Sequence, residues 1–325
     1  MHAITVPHSG GPETLTLSQL PDPIAGHGEV LIEVAAAGVN RADISQRAGA
    51  YPPPAGASPV PGLEVSGVIL ELGAGVSGWS VGDRVCALLP GGGYASRAVA
   101  SAGHLLPVSE SLDLVDAAGL PEAIATVWSN VVMIAGLLSG ETFLVHGGSS
   151  GIGTMAIQLA RALGCVVATT AGSRQKLQAC EELGAGILID YREEDFVERL
   201  LDATDRRGAD VILDTIGGDY FERNLRSLAP HGRLAMIANQ SGTHGVANIG
   251  LITSRWLSVY GSVLRARPAR EKDEIIASVL ANVWPLVESG QIVPVVHERF
   301  AFSEAARAHE TMEASTHIGK LLLIP

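Results

Sequence analysis

The sequence has little of what a secreted scaffold, a membrane anchor or a nucleic-acid surface requires. Only three cysteines occur in 325 residues, Cys86, Cys165 and Cys180; an odd, widely spaced set offers no disulfide framework and suits a reducing compartment. Cations are outnumbered, 22 Lys and Arg against 34 Asp and Glu for a net charge of −12, which excludes broad affinity for phosphate backbones or anionic membranes and leaves room only for a local basic pocket. The first residues lack a basic segment followed by an apolar run, so no signal peptide is expected. The longest apolar stretch, from Leu120 to Leu138, is interrupted by Pro121, Glu122, Ser129 and Asn130 and reads as a buried helix rather than a membrane span. Aromatics make up 4% of the chain while glycines number 38, so packing must rest on small and branched aliphatic residues. Neither an internal repeat nor a low-complexity linker is present. A soluble, cytoplasmic protein is expected.

What the chain does contain changes texture partway along. As far as about residue 120, short apolar runs such as Val30–Val34, Val65–Leu70 and Asp83–Leu88 are broken by Gly and Pro, the punctuation of antiparallel strands in a small barrel rather than of helices. From about residue 124, strands and helices alternate. Strands are expected at 144–146, 165–170, 186–189, 211–213 and 233–238, the last after a turn at Pro230-His231-Gly232. Helices are expected at 154–163, 175–183 (stopped by Gly184), 195–201 and 220–228. That alternation predicts a parallel, doubly wound sheet. A helix over 272–289, broken at Pro285, and a closing strand at 319–324 follow; the tail is too short for a domain and is expected to rejoin the first. The expected organisation is α/β, with a barrel domain at 1–123 and 266–325 and a dinucleotide-type domain at 124–265.

Between the strand ending at His146 and the next helix lies Gly148-Ser149-Ser150-Gly151-Ile152-Gly153. Glycines there let a pyrophosphate approach the backbone, and the first amides of the helix supply partial positive charge. A serine replaces the usual middle glycine, and such a loop is a weak signal alone; its strand–turn–helix context makes it a dinucleotide site. About 20 residues past the first glycine, an NAD site usually carries an acid for the ribose diol. Here the stretch is Thr170-Ala171-Gly172-Ser173-Arg174-Gln175-Lys176: a hydroxyl and two cations, suited to the 2′-phosphate of NADPH. Cations at a helix start are otherwise mildly unfavourable.

Further motifs are Ala37-Gly38-Val39-Asn40-Arg41-Ala42-Asp43, Tyr51-Pro52-x-Pro54, Pro61-Gly62-Leu63-Glu64-x-Ser66-Gly67, Val81-Gly82-Asp83-Arg84-Val85, Gly92-Gly93-Tyr94-Ala95, Pro121-Glu122-Ala123 and His317-Ile318-Gly319-Lys320. With the glycine-rich turn, they resemble from end to end the medium-chain dehydrogenase/reductase superfamily in its zinc-independent NADPH:quinone oxidoreductase branch. The resemblance implies a GroES-like β-barrel domain joined to a Rossmann domain, with the nicotinamide in a cleft between them. It implies that Gly148, Ser150 and Gly153 form the pyrophosphate turn, which also contains Ser149, Gly151 and Ile152, and that Ser173, Lys176 and Tyr191 hold the adenosine phosphate, to which the residue reading adds Arg174. Thr126, Asn239, Gln240, Ser262 and Leu264 would line the nicotinamide side, with Lys320 near the cofactor. It also implies a homodimer or tetramer. Relatives often carry Asn where His317 stands.

Zinc enzymes of the superfamily carry Cys where Asn40 stands and His where Leu63 stands, and zinc needs about four N, S or O ligands in tetrahedral array. No zinc site is expected. Without a Lewis acid the hydride acceptor must be intrinsically reactive, which favours quinones and conjugated enones over plain ketones; the cofactor carries the chemistry and the protein positions it. Tyr51 is the expected hydrogen-bond donor to the substrate oxygen, its phenol having an ordinary pKa of about 10. Asn40 is expected to orient substrate or nicotinamide. Two blander readings stand beside these: Tyr51 packing a proline-rich loop, and Asn40 capping a turn. His146 and Cys86 read as structural, and Asp43 and Glu64 as partners of Arg41 or Arg47. The expected activity is NADPH-dependent quinone reduction, with an enoyl or alkenal reductase and a non-catalytic, crystallin-like NADPH binder as alternatives.

Overall fold

A computed structural model describes residues 1–325, which divide into two compact units: Met1–Ala125 with Leu264–Pro325, and Thr126–Val263. In chain order the first unit begins with β1 (His2–Thr5) and β2 (Thr16–Gln19), an antiparallel pair. Then come β3 (Glu29–Val39), β4 (Glu64–Leu72), β5 (Arg84–Leu88), β6 (Arg97–Ser101) and β7 (Leu105–Pro107). The second unit supplies β8 (Thr142–His146), β9 (Val166–Ala171), β10 (Ile187–Asp190), β11 (Ala209–Asp214), β12 (Leu228–Met236) and β13 (Ser258–Gly261). The chain then returns to the first unit for β14 (Val296–Ala301) and β15 (Lys320–Ile324).

In the first unit the strand order is β14-β15-β3-β4-β5-β7, with β6 also paired to β3. β3 is the hub. Its register shifts at Leu31/Ile32 and Val34/Ala36 let one long strand serve β4, β6 and, at its far end, β15, where Leu321 lies opposite Val39; such bulges turn a sheet towards closure. Val30, Ile32, Val34, Ile69, Val85, Phe300, Leu321 and Leu323 form the core beneath it. The second unit is a six-stranded sheet in the order β10-β9-β8-β11-β12-β13, all of it parallel. The order reverses beside β8, and in open α/β sheets ligands bind beyond the carboxyl ends of the strands at that switch point. Leu144, Ala168, Ile189, Phe196, Leu200, Ile212 and Leu234 fill its core.

Four local features differ from the sequence expectations. The region read as strands contains a helix, α1 (Arg41–Arg47), too short to display a helical period. The apolar stretch begins as α2 (Pro121–Val127) and passes into π-helical turns over Trp128–Ile134; the span Asp116–Ile134 is apolar and long enough to cross a membrane, yet 78% of its most apolar window is buried within the protein. Pro230-His231-Gly232 lies within β12, a strand irregular opposite Ala209–Val211, with His231 at φ +62°. The C-terminal helix breaks at Val283, ahead of Pro285, because a proline fits the first turn of the following helix, Trp284–Glu288. Two further helices frame the site: α3 (Gly151–Ala162) and α4 (Arg174–Leu183), the latter ended by Gly184 at φ +114°.

A buried polar chain ties α1 into the barrel. Arg47 Nη1 donates to His309 Nδ1 at 3.2 Å, so Nε2 of that ring carries the hydrogen and donates to the Tyr94 hydroxyl at 3.1 Å. Tyr94 donates in turn to Asp43 Oδ2 at 3.2 Å. Burial and the charge of Arg47 push His309 down to about 3, so the ring is neutral and the direction of the chain is fixed. Asp43 therefore pairs with no arginine; it also accepts from the amides of Gly62 and Asn40. Tyr94→Phe leaves a buried imidazole N–H without an acceptor and is expected to cost about 1–3 kcal/mol in urea unfolding; an unchanged midpoint would show that the chain does not hold the barrel.

Candidate active site

At the C-terminal end of β8 the backbone turns through Gly147, at φ +70°. The Gly147 and Gly148 amides donate to Thr170 at 3.2 Å (Oγ1) and 3.0 Å (carbonyl). A Cβ at Gly148 would lie 1.9 Å from Thr169 Oγ1, and one at Gly153 would lie 2.3 Å from the Gly147 carbonyl oxygen; these two positions admit only glycine without movement of the turn. Ser150, in place of the usual middle glycine, is the N-cap of α3, its Oγ accepting from Gly153 N at 3.0 Å. Ser149 is buried within the turn. The amides of Gly151 and Ile152, in the first turn of the helix, have no intrahelical acceptor. They suit a pyrophosphate oxygen, and the turn fits a dinucleotide.

The ends of β9 and β10 lie side by side, Ala171 opposite Asp190, so the residues that follow both strands are neighbours. Ser173 caps α4, accepting from Lys176 N at 3.3 Å. Gly172 leaves space beneath Tyr191 and Arg192: a Cβ there would lie 2.6 Å from the Tyr191 hydroxyl and 3.0 Å from Arg192 Nε. Burial, then the neighbouring charge of Arg192, lowers the pKa of Lys176. Two cations held together beside two hydroxyls form a natural seat for a phosphate dianion. Arg174, at the first position of α4, is exposed. Arg192 escaped the sequence reading; the signal was its place directly after Tyr191, beyond a strand adjacent to the one that ends at Ala171.

Beyond β12 and β13 is a pocket of about 360 Å³ lined by Met236, Ile237, Ala238, Asn239, Gly261, Ser262 and Val263. Asn239 and Gln240 are exposed on its loop, which Gly217 approaches so closely that a Cβ would lie 2.8 Å from Asn239 Cα. Asn130, buried in the π-helical segment, donates from Nδ2 to the Thr126 carbonyl at 2.9 Å. Its Oδ1 therefore faces Ser262, whose hydroxyl donates to it at 2.6 Å. Thr126 and Ser262 are thus joined through a residue that sequence reasoning passed over. His146, at the end of β8, bonds to Asn224 and Thr170 and is pushed down to about 4 by burial.

In the first unit, Lys320 on β15 donates to both Glu64 Oε1 and Asn40 Oδ1, the latter at 2.8 Å. Asn40 Nδ2 donates to the same Glu64 oxygen at 2.9 Å, and the Glu122 amide donates to Glu64 Oε2 at 2.9 Å. Glu64 is fully buried and Lys320 nearly so. Gly38 makes room for the carboxylate, since a Cβ there would lie 2.2 Å from Oε1. Both polar atoms of the Asn40 amide and the Lys320 ammonium are therefore engaged within the unit, and Glu64 pairs with Lys320 rather than with Arg41 or Arg47. Arg47 instead bridges His309 and Glu313, and Arg41 donates to Ser315. Asn40 does stand at the N-cap of α1.

Tyr51 joins neither Asn40 nor Lys320. It is half-buried, with the Arg265 guanidinium 5.4 Å from its ring centroid, and burial raises its pKa, so the phenol keeps its proton. Leu264, beside Arg265, is buried. Replacing one partner of a buried ion pair strands the other charge, at a cost of about 3–5 kcal/mol. Lys320→Met should lower the urea midpoint accordingly, and adding Glu64→Gln should restore part of the loss; a single variant as stable as wild type would show the pair to be dispensable.

Two family models match: Zinc-binding dehydrogenase over residues 151–281 and Alcohol dehydrogenase GroES-like domain over residues 26–110. Quinone oxidoreductase of Pseudomonas aeruginosa is 32% identical over 321 residues, covering 97% of each chain. Quinone oxidoreductase 1 of Escherichia coli is 33% identical over 325 residues, with the same coverage. Among solved structures, Escherichia coli quinone oxidoreductase complexed with NADPH superposes with a TM-score of 0.90 at 31% identity over 100% of each chain. CurK enoyl reductase does so with a TM-score of 0.88 at 25% identity, over 99% of this chain and 98% of that one. Sheet order, turn geometry and these likenesses agree: the chain belongs to the quinone oxidoreductase family of the medium-chain dehydrogenase/reductase superfamily.

Proposed function

We propose that this protein reduces quinones with NADPH and without a metal ion. The observation that carries the choice of cofactor is the acid-free seat of Ser173, Lys176, Tyr191 and Arg192, whose two clustered cations match a 2′-phosphate. In this reading Gly151 and Ile152 hold the pyrophosphate through their amides, with Gly148, Ser149, Ser150 and Gly153 shaping the turn. Arg174 adds charge at the rim. Asn239, Gln240, Thr126, Ser262 and Leu264 border the nicotinamide. The reduced nicotinamide supplies the hydride. Tyr51 donates a hydrogen bond to the acceptor oxygen, where negative charge develops. Asn40 and Lys320 act from behind, holding Glu64 and the backbone around it.

The metal-free reading is supported by the ligand positions. Asn40 and Leu63 stand where zinc relatives have Cys and His, the Asn40 amide is already bound by Lys320, and no group of three or more His, Cys, Asp or Glu side chains is placed to hold a metal. Conjugated enones form a second acceptor class, favoured by the likeness to CurK enoyl reductase. A cytoplasmic location and a homo-oligomeric state belong to the same proposal, supported by three free cysteines and by the open edge strand β13.

NADPH oxidation against a panel of ortho-quinones, para-quinones and enones tests the proposal; tight NADPH binding with no turnover on any acceptor would leave a binding protein instead. Lys176→Ala should raise the KM for NADPH far more than that for NADH, and equal effects would refute the phosphate seat. Tyr51→Phe should lower kcat on quinones about tenfold, the worth of one hydrogen bond to developing charge; an unchanged rate would make Tyr51 a packing residue.

A further inference from the structure

The pocket beyond β12 and β13 is walled mainly by apolar residues and glycine, and its polar side chains are Asn239 and Ser262. Asn239 brings both donors and an acceptor on an exposed loop. Ser262 differs, because its neighbours decide what it can offer. Its backbone amide is spent on the Met236 carbonyl at 3.2 Å. Its hydroxyl has one hydrogen and two lone pairs, and the hydrogen is committed to Asn130 Oδ1 at 2.6 Å.

That commitment is fixed from behind. Asn130 is 2% exposed and sits where the helix widens into π turns, Ala135 N donating to the Asn130 carbonyl at 3.0 Å. Short π segments inside helices often mark functional positions. Asn130 Nδ2 faces the Thr126 carbonyl at 2.9 Å and Ser129 Oγ at 3.4 Å. A carbonyl oxygen can only accept, so turning the Asn130 amide over would set two oxygens face to face in a buried place, at the cost of an unmade hydrogen bond. Oδ1 therefore faces Ser262, and only the Ser262 hydroxyl can be the donor between them. To the pocket, the Ser262 oxygen presents lone pairs and no hydrogen. These residues all lie in the second unit.

We propose that Asn130 is a positioning residue that makes Ser262 a one-way acceptor in this pocket, so that the pocket selects a group carrying an N–H donor, the primary carboxamide of the nicotinamide. This rests on the NADPH reading above and deepens it. The carboxamide offers an NH2 and a carbonyl, and the Ser262 hydroxyl accepts from the first. A ring bearing only an acceptor there would set its lone pairs against those of Ser262, or force the hydroxyl to break its bond to Asn130. Sites built to pair an N–H reject analogues lacking it more strongly than apolar pockets reject a missing methylene. If Ser262 served only to tie the loop after β13 to the π segment, no such preference would exist.

Calorimetric titration of the full chain with NADP⁺ and with its 3-acetylpyridine analogue tests this without turnover. The analogue keeps the carbonyl and replaces the NH2 by a methyl group. Wild type should bind NADP⁺ about three- to tenfold more tightly, the worth of one neutral hydrogen bond. Ser262→Ala should weaken NADP⁺ by that factor and leave the analogue unchanged, removing the preference. Asn130→Leu should lower the preference towards unity; in the Ser262→Ala background it should change it no further, because it acts through that hydroxyl. Equal affinities of wild type for the two ligands, or a preference undiminished in Ser262→Ala, would overturn the inference and leave NADPH binding intact. The alanine variant decides this even where the leucine variant fails to fold. Failure of wild type to bind NADP⁺ at all would instead count against the cofactor reading, and the inference would fall with it.

Discussion

Everything in the barrel unit near α1, α2 and β15 is arranged around the carboxylate of Glu64. It is fully buried, and burying an unpaired charge is prohibitively costly. The chain meets that constraint with a complete set of donors: Lys320 and Asn40 on one oxygen, the Glu122 amide on the other. Each donor comes from a different element, so satisfying one charge fixes four segments relative to one another. Gly38 is explained by the same demand, because any side chain there would occupy the carboxylate's place. Removing the positive partner undoes all of this at once, whereas removing a surface pair such as Arg270–Glu274 would release little.

The carboxyl of Glu122 is pushed up to about 8 within that arrangement. Its backbone serves Glu64, and burial together with the neighbouring Glu64 carboxylate favours the protonated form of its side chain. The result is an acid held close to neutrality by its neighbours rather than by its residue type. Tyr51 and Arg265 differ in kind: the phenol is a donor at any physiological pH, and the guanidinium is a fixed charge.

What could be read from the sequence was whatever depends on neighbours along the chain. The turn from Gly148 to Gly153 was legible because its chemistry is set by consecutive residues between a strand and a helix, and Ser173 and Lys176 because they open the next helix. The parallel sheet followed from alternating periodicities, and Gly184 ended its helix as its type suggests. Asn40 and Lys320 were found through resemblance alone, and their mutual bond was not foreseen. The bond from the Glu122 amide to Glu64 and the surroundings of Arg265 were invisible for a physical reason. An arginine acquires meaning only from what it lacks when buried, and the partner that fixes Arg265 Nη2 lies 219 positions away. Arg192 and Asn130 likewise matter only through the strands and helices set beside them. The helix α1 was missed because seven residues are too few for a period to show.

The bond between Glu64 and Lys320 spans 256 positions, and the entire second unit lies inside that interval. While a ribosome is still making the chain, residues 126–263 can collapse on contacts already synthesised, whereas the barrel around Glu64 must wait for its final strand. The unit that emerges first is thus completed last. Until β15 arrives the carboxylate has to remain hydrated, and the barrel partly open, so the order of synthesis sets the order of assembly.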